Sequence, residues 1–425
     1  MPSAHAGRRS DRAPIPVYLL LTGAQALFFS LTFTVNIIYQ ATVVGLNPLQ
    51  MVLVGTVLEA TCFLFEIPTG IVADIYSRRL SILVGIALIG TGFVLEGAVP
   101  HFWAIMLAQV IWGIGYTFTS GAIEAWITDE VGEDRVGPVF LRGTQIGLIG
   151  GITGTILSAL LGLIAIRLPI ILAGGGMIAL CMVLIAIMPE RHMHVTPREE
   201  RSTFAHMRRT AVEGMRLARQ RQVVRTLILI SLIVGLASEA FDRLNQVYIL
   251  DRFAFPSMFG SNNPVIWFGL SGIVSTILGL AASEVLTRRN PEALGSGTPA
   301  RLLTICAGLQ VATTIVFALS GNLWLAFGML WLRTALGAIT GPVEAAWMNR
   351  NLDSPLRATV ISMNGQANAI GQVAGGPALG WVGNVVSVRA ALLCSAAVLA
   401  PIVALYRRTI PRARMPETQP VTTLD

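Results

Sequence analysis

Along this chain, stretches of predominantly apolar residues, each about 20 or more long and so able to cross a bilayer core as a helix, alternate with short polar stretches in which arginine gathers. Twelve such runs are legible, at roughly 16–39, 48–72, 80–99, 103–128, 136–166, 169–188, 225–250, 263–286, 302–320, 323–349, 357–382 and 387–406. The pattern predicts an all-α membrane protein with 12 transmembrane helices. The first run is too long for the apolar part of a signal peptide and no small-residue cleavage site follows it, so it is expected to remain as a helix.

Arginine predicts the orientation. An even number of crossings puts both termini on one side, and that side carries Arg8, Arg9, Arg12, Arg78, Arg79, Arg135, nine arginines from Arg191 to Arg225, then Arg288, Arg289, Arg301, Arg350, Arg357, Arg407, Arg408, Arg412 and Arg414. The other side holds Arg167, Arg252 and Arg389. By the positive-inside rule both termini are expected in the cytoplasm, with the chain in the inner or plasma membrane. Residues 189–224 form a long basic segment on the same side. It divides the chain into a six-helix bundle over 1–188 and a second over 225–407, followed by a cytoplasmic tail over 408–425. Within the segment Phe204, Met207, Ala211, Val212, Met215 and Ala218 recur at helical spacing among arginines. Two readings stand: an amphipathic helix on anionic headgroups, or a solvated basic linker.

Composition narrows the function classes. Of 425 residues, 54% are hydrophobic and 12% charged, with a mean hydropathy of +0.68; a soluble protein carries about 25% charge. An ordinary water-soluble enzyme is excluded. The net charge of +7 is spread in short clusters rather than one stripe, which excludes a nucleic-acid partner. Every basic residue is arginine, so neither a GxxxxGK[ST] phosphate loop nor a lysine Schiff base can form. Cys62, Cys181, Cys306 and Cys394 lie inside apolar runs, and His5, His101, His192, His194 and His206 avoid the run centres. No disulfide framework, metal site or cofactor is expected.

The two halves repeat each other. GIVADIYSRR at 70–79 returns as LAASEVLTRR at 280–289, SGAIE at 120–124 as TGPVE at 340–344, and Arg135 and Gly143 as Arg357 and Gly365. Matches in one order at nearly one spacing indicate a duplicated six-helix unit.

With that repeat, the GxxxDxxxRR pattern of Gly70, Asp74, Arg78 and Arg79 resembles the major facilitator superfamily, over about residues 16–407. FEIPTGIVAD (65–74) together with GAIEAWITD (121–129) resembles bacterial drug or metabolite efflux members. The resemblance implies two pseudo-symmetric six-helix bundles that rock around a midplane cavity, with a small-molecule substrate, protons and the lipid bilayer as partners. A monomer without enzymatic activity is expected. In the loop motif, Gly70 would allow close approach of a neighbouring helix, and Asp74 would face the N-terminal end of the helix starting near Arg357. Arg78 would bridge to Asp129, the whole latching an outward-facing state. Glu284 and Arg288 would repeat the arrangement more weakly, since Asn349 and Leu280 replace the counterparts of Asp129 and Gly70. The alternative is that these charges only fix topology. The glycine pattern of antiporters is partial: the fifth run has Gly143, Gly147, Gly150, Gly151 and Gly154 without the proline, whereas Gly371, Gly375, Gly376, Pro377 and Gly380 lie in the eleventh. Such glycines are by default packing surfaces.

Ionisable residues inside apolar runs cost about 2.5 to 3.5 kcal/mol each at the span centre, so they are candidates for function. By depth, Glu66, Glu124 and Arg142 are expected to form a buried cluster, with one carboxylate poorly compensated or the whole a static network. Glu59, two turns deeper than Glu66, is a proton or cation candidate or a packing residue. Glu239, Asp242 and Arg243 are neighbours on one helix, with Asp242 and Arg243 expected to serve substrate or coupling unless they form a structural pair. Glu344 repeats Glu124 but has Asn364 where its mate has Arg142, and is expected to lack a partner. Trp112, Tyr116, Trp126, Trp331 and Trp347 are cavity or packing aromatics. The expectation is a proton-coupled exporter, an antiporter, of an amphiphilic or cationic small molecule. The alternatives are an importer or uniporter of a polar metabolite, and a membrane sensor or lipid-handling protein on the same scaffold.

Overall fold

A computed structural model describes residues 14–192, 212, 216, 222–258, 260–289, 299–351 and 354–408. The surface helix expected within 189–224 and the tail expected over 408–425 fall almost wholly outside the described residues. The first half contains α1 (Pro14–Phe33), α2 (Asn36–Thr42), α3 (Pro48–Ile75), α4 (Arg78–Ala98), α5 (Phe102–Thr119), α6 (Ala122–Val131), α7 (Glu133–Ile164) and α8 (Leu168–Ile187). The second contains α9 (Gln222–Arg252), α10 (Pro264–Arg289), α11 (Pro299–Ala318), α12 (Leu323–Asn351), α13 (Ser354–Val385), α14 (Val388–Leu399) and α15 (Pro401–Arg408).

Three of the expected runs are each divided into two helices. The first breaks at Thr34 and Val35 between α1 and α2. The fourth breaks at Ser120 and Gly121, where Gly121 adopts φ +70°, a left-handed turn that lacks a steric penalty only for glycine. The last breaks at Ala400 ahead of Pro401, whose ring removes a helical donor. Taken across these breaks, eleven spans among the described residues are long and apolar enough to cross a membrane. The twelfth, α13, has 32 residues, about 48 Å of helix at 1.5 Å per residue. Its composition is held down by Asn364, Gln366, Asn368 and Gln372, yet it packs along α9 like its apolar counterparts.

Local chemistry sets the helix starts. Asn47 caps α3 through Gln50 N at 2.9 Å while Gln50 Oε1 accepts from Asn47 N at 3.1 Å, a reciprocal box with Pro48 at the first helical position. Ser77 caps α4, and Glu190 accepts from Ser77 Oγ at 2.6 Å and Arg79 N at 3.0 Å. A carboxylate there meets the positive end of the helix.

Within each half, helices meet on glycine. Gly150 and Gly154 of α7 lie so close to α1 that a Cβ on either would collide with the backbone of Gly23 or Leu27. At the matching seam of the second half, Gly371 and Gly375 of α13 stand against Leu232 and Leu236 of α9. The glycine runs are therefore packing surfaces, as the default reading held.

Between the halves, α3 packs on α13 and α9, and α7 on α10. The close approaches gather at the arginine-poor end. A Cβ on Gly380 would stand 2.9 Å from Val52 Cβ, one on Gly376 2.7 Å from Thr56 Oγ1, and one on Gly162 2.9 Å from Val265 Cγ1. Toward the arginine-rich end Leu64, Phe65 and Glu66 of α3, Glu124 of α6, Arg142 of α7 and Ile361 of α13 are exposed. The space between the halves is thus sealed at one end and open at the other.

Candidate functional site

The two arginines of the loop motif fasten helices of the first half to one another. Arg78 pairs with Asp129, both largely buried, and donates from Nη1 to Ala125 O at 2.8 Å. Arg79 Nη2 donates to Ile185 O at 2.6 Å, a cation at the C-terminal end of α8. Glu130, which sequence reading passed over, is buried beside them and accepts from the backbone N–H groups of Arg191 and His192 at 2.6 and 3.1 Å. Other parts of the motif differ from expectation. A Cβ on Gly70 would meet nothing within 4 Å, because the halves are parted at this end. Half-buried Asp74 has no ion pair among the described residues. Arg78 and Asp129 are joined while this end stands open, so their bond alone cannot be what latches it shut. Among the described residues Glu284 pairs with Arg288 of its own helix, both exposed, and bridges to no neighbouring helix.

The buried cluster expected of Glu66, Glu124 and Arg142 does not form. All three side chains are exposed on the open side and make no ion pair with one another. Each side chain is exposed instead of turned toward the other two.

The charges that do gather lie deeper. Counted from the arginine-poor ends of α3, α9 and α12, Glu59, Glu239, Asp242, Arg243 and Arg333 all fall roughly 13–20 Å in at 1.5 Å per residue. Arg243 Nε binds Glu239 Oε1 at 3.0 Å, with only 15% and 5% of the two side chains exposed. This pair lies against Gly55 of α3, where a Cβ would overlap Glu239 Oε1. Half-buried Glu59 is within electrostatic reach of Glu239, Arg243 and Asp242 across the gap between the halves. Sequence reading grouped Asp242 with Arg243, and here the structure separates them. Asp242 turns away from the pair into a cavity of about 340 Å³ between α9, α10 and α12, where Arg333 forms the opposite wall. Arg333 lies with its Cζ 4.0 Å from the centre of the Phe241 ring and donates from Nη1 to Thr314 Oγ1 at 2.9 Å.

A second cavity, of about 290 Å³ between α9, α12 and α13, holds Glu344. Its expected isolation is corrected: the Tyr406 hydroxyl donates to it. Nearby, Ser231 Oγ donates to Asn364 Oδ1 at 2.6 Å and Gln372 Nε2 to Asn368 Oδ1 at 2.7 Å, so α13 presents a line of amides.

Glu96 is a second buried acid that sequence reading missed. It is wholly buried near the arginine-poor end of α4, where Oε1 accepts from Asn36 Nδ2 at 3.0 Å and Gln40 Nε2 at 2.7 Å, and Oε2 from Gln109 Nε2 at 3.2 Å. Its position near the end of an apolar run hid it; three amides in neighbouring runs were the available signal. Of the five aromatics, Trp112, Trp126 and Trp347 are buried packing residues and Trp331 donates to Ser271 Oγ at 3.0 Å, whereas Tyr116 is exposed.

Comparison with known proteins agrees with this architecture. The Major Facilitator Superfamily model matches residues 18–376. The chain is 22% identical over 334 residues to the uncharacterized MFS-type transporter YxaM of Bacillus subtilis (strain 168), covering 79% of this chain and 80% of that protein. Among solved structures it is similar to the nucleoside transporter NupG, with a TM-score of 0.73 at 15% identity over 93% of this chain and 98% of that one. A POT family transporter in complex with a thioalcohol conjugated peptide gives a TM-score of 0.70 at 13% identity over 93% and 95%. At such identities these structures speak to the fold alone. Fold, repeat and family model agree that the chain is a multi-pass membrane transporter belonging to the Major Facilitator Superfamily.

Proposed function

We propose that this transporter exports a small molecule bearing a cationic group in exchange for protons, by alternating access of its two halves. The observation that carries the reading is the excess of acid at one depth: among the described residues, Glu59, Glu239 and Asp242 stand there against Arg243 and Arg333. An uncompensated carboxylate inside a membrane is costly, and either a proton or a cationic solute offsets it. Two cations competing for the same negative charge is the physical basis of exchange, since release of one makes room for the other. With no lysine in the chain to build a phosphate loop, an ion gradient is the energy source this polypeptide can use. If the arginine-rich end is cytoplasmic, as its charge bias supports, the sealed and open ends describe an inward-facing state ready to receive solute from the cell.

A second reading, import or facilitated diffusion of a polar metabolite, draws support from the amides and hydroxyls around Asp242. Purified protein in proteoliposomes with an imposed pH gradient separates the two. An exporter by exchange concentrates solute against its own gradient, and Glu59→Gln should abolish that uphill movement while leaving solute-for-solute exchange. If neither Glu59→Gln nor Asp242→Asn alters the pH dependence of flux, proton coupling through these acids is wrong.

A further inference from the structure

We infer that the cavity between α9, α10 and α12 is a zwitterion site: it takes a small solute carrying an ammonium and a carboxylate, the ammonium on α9 and the carboxylate on α12. The inference rests on the transport reading above and narrows it, since a cationic group satisfies only one of the two walls.

The walls differ in sign. On α9, Asp242 and Gln246 are four residues apart and share a face; both line the cavity, and Gln246 Oε1 is buried without a hydrogen-bond donor. Asn245, also at this wall, has spent its amide nitrogen on the backbone oxygens of Phe241 and Asp242 at 2.9 and 3.1 Å. What it has left to offer is an acceptor oxygen. A carboxylate and two amide oxygens suit the three N–H donors of an ammonium.

Arg333 supplies the other wall. One of its five N–H donors is used on Thr314, and its stacking on Phe241 holds the guanidinium plane in place. The remaining donors fit a carboxylate, which guanidinium binds in a fork geometry. Although opposite in charge and lining one cavity, Asp242 and Arg333 make no ion pair with each other. Two opposite charges that line one half-open cavity without pairing attract a solute that carries the complement of both. Net charge then changes little on binding, which a lone cation or a lone anion cannot achieve. The cavity volume of about 340 Å³ lies within the range of small-molecule pockets, roughly 300–1,000 Å³. Gly272 lines it too, and a Cβ there would meet nothing within 4 Å, so a side chain can start from this position and compete with solute for the cavity.

The test is thermal stability of the purified full chain in detergent, against the proteinogenic amino acids. Each is paired with its decarboxylated amine and its deaminated acid at equal concentration. At least one zwitterion should raise Tm by several degrees while its amine and acid partners do not. Arg333→Gln should abolish that shift, and Gly272→Leu should abolish it while leaving the unliganded Tm unchanged. Stabilisation by amines alone or acids alone overturns the inference, as does a panel in which no zwitterion acts, or a shift that survives both variants. The transport reading fails separately: a protein that binds a zwitterion but moves no solute in the pH-gradient assay would keep the site and lose the antiporter.

Discussion

At Gly55 a single hydrogen stands where any other residue would carry a carbon, and the Glu239–Arg243 pair occupies that space. Gly55→Ala should push α9 off α3 at the sealed end. Overpacking costs about 1–3 kcal/mol, enough to shift a two-state equilibrium by about 5-fold to 150-fold. The expected outcome is faster maleimide labelling of Val52→Cys, wholly buried at this seam, in a chain lacking its four native cysteines. Labelling no faster than in the Gly55 chain would show that the pair does not wedge the seam. A second residue-scale expectation concerns Arg78 and Asp129: Arg78→Gln and Asp129→Asn should each lower Tm. The double variant should lose less than the sum, because partners in one ion pair are coupled. Full additivity would remove the pair from the account. As for legibility, Asp242 and Arg333 were each visible as charges within apolar runs. That they face one another was not, because the rotation of one helix against another is set by packing of the whole bundle. Glu66, Glu124 and Arg142 failed for the same reason.

Elements were easier to read than partners. The twelve runs and their repeat follow from hydropathy and spacing, and each run is present. The breaks were less legible: Gly121 and Pro401 are ordinary letters in an apolar string until the chain must turn. Conversely, the polar letters of α13 did not prevent a helix, since α9 and the cavity beside it receive them. The glycine seams give a test at this scale. Gly150→Val and Gly154→Val should each destabilise the first half, because α1 backbone occupies the space a side chain needs. Gly147→Ala, whose Cβ would make ordinary contact at 3.9 Å with Thr22 Cγ2, should leave Tm nearly unchanged. Equal losses at all three positions would mean that the seam is not what holds α1 to α7.

For the molecule as a whole, the prediction is one of access. A membrane-impermeant thiol reagent should label Phe65→Cys and Ile361→Cys from the arginine-rich side only, and Val52→Cys from neither side at equilibrium. Inside-out and right-side-out vesicles distinguish the sides, and labelling of Phe65→Cys from the arginine-poor side would reverse the assigned opening. The seal itself is built from glycines, Val52, Thr56 and Val265, and among the described residues no hydrogen bond or ion pair crosses it. A closure of that kind resembles two smooth plates in van der Waals contact, with the charges of Glu59, Glu239 and Arg243 acting across it without a direct bond. It separates gradually, with no single bond to snap, and ionic strength has little grip on it. Lateral squeeze from the surrounding lipid acts directly on it, so the thickness and tail packing of the host bilayer should govern how fast this machine turns over.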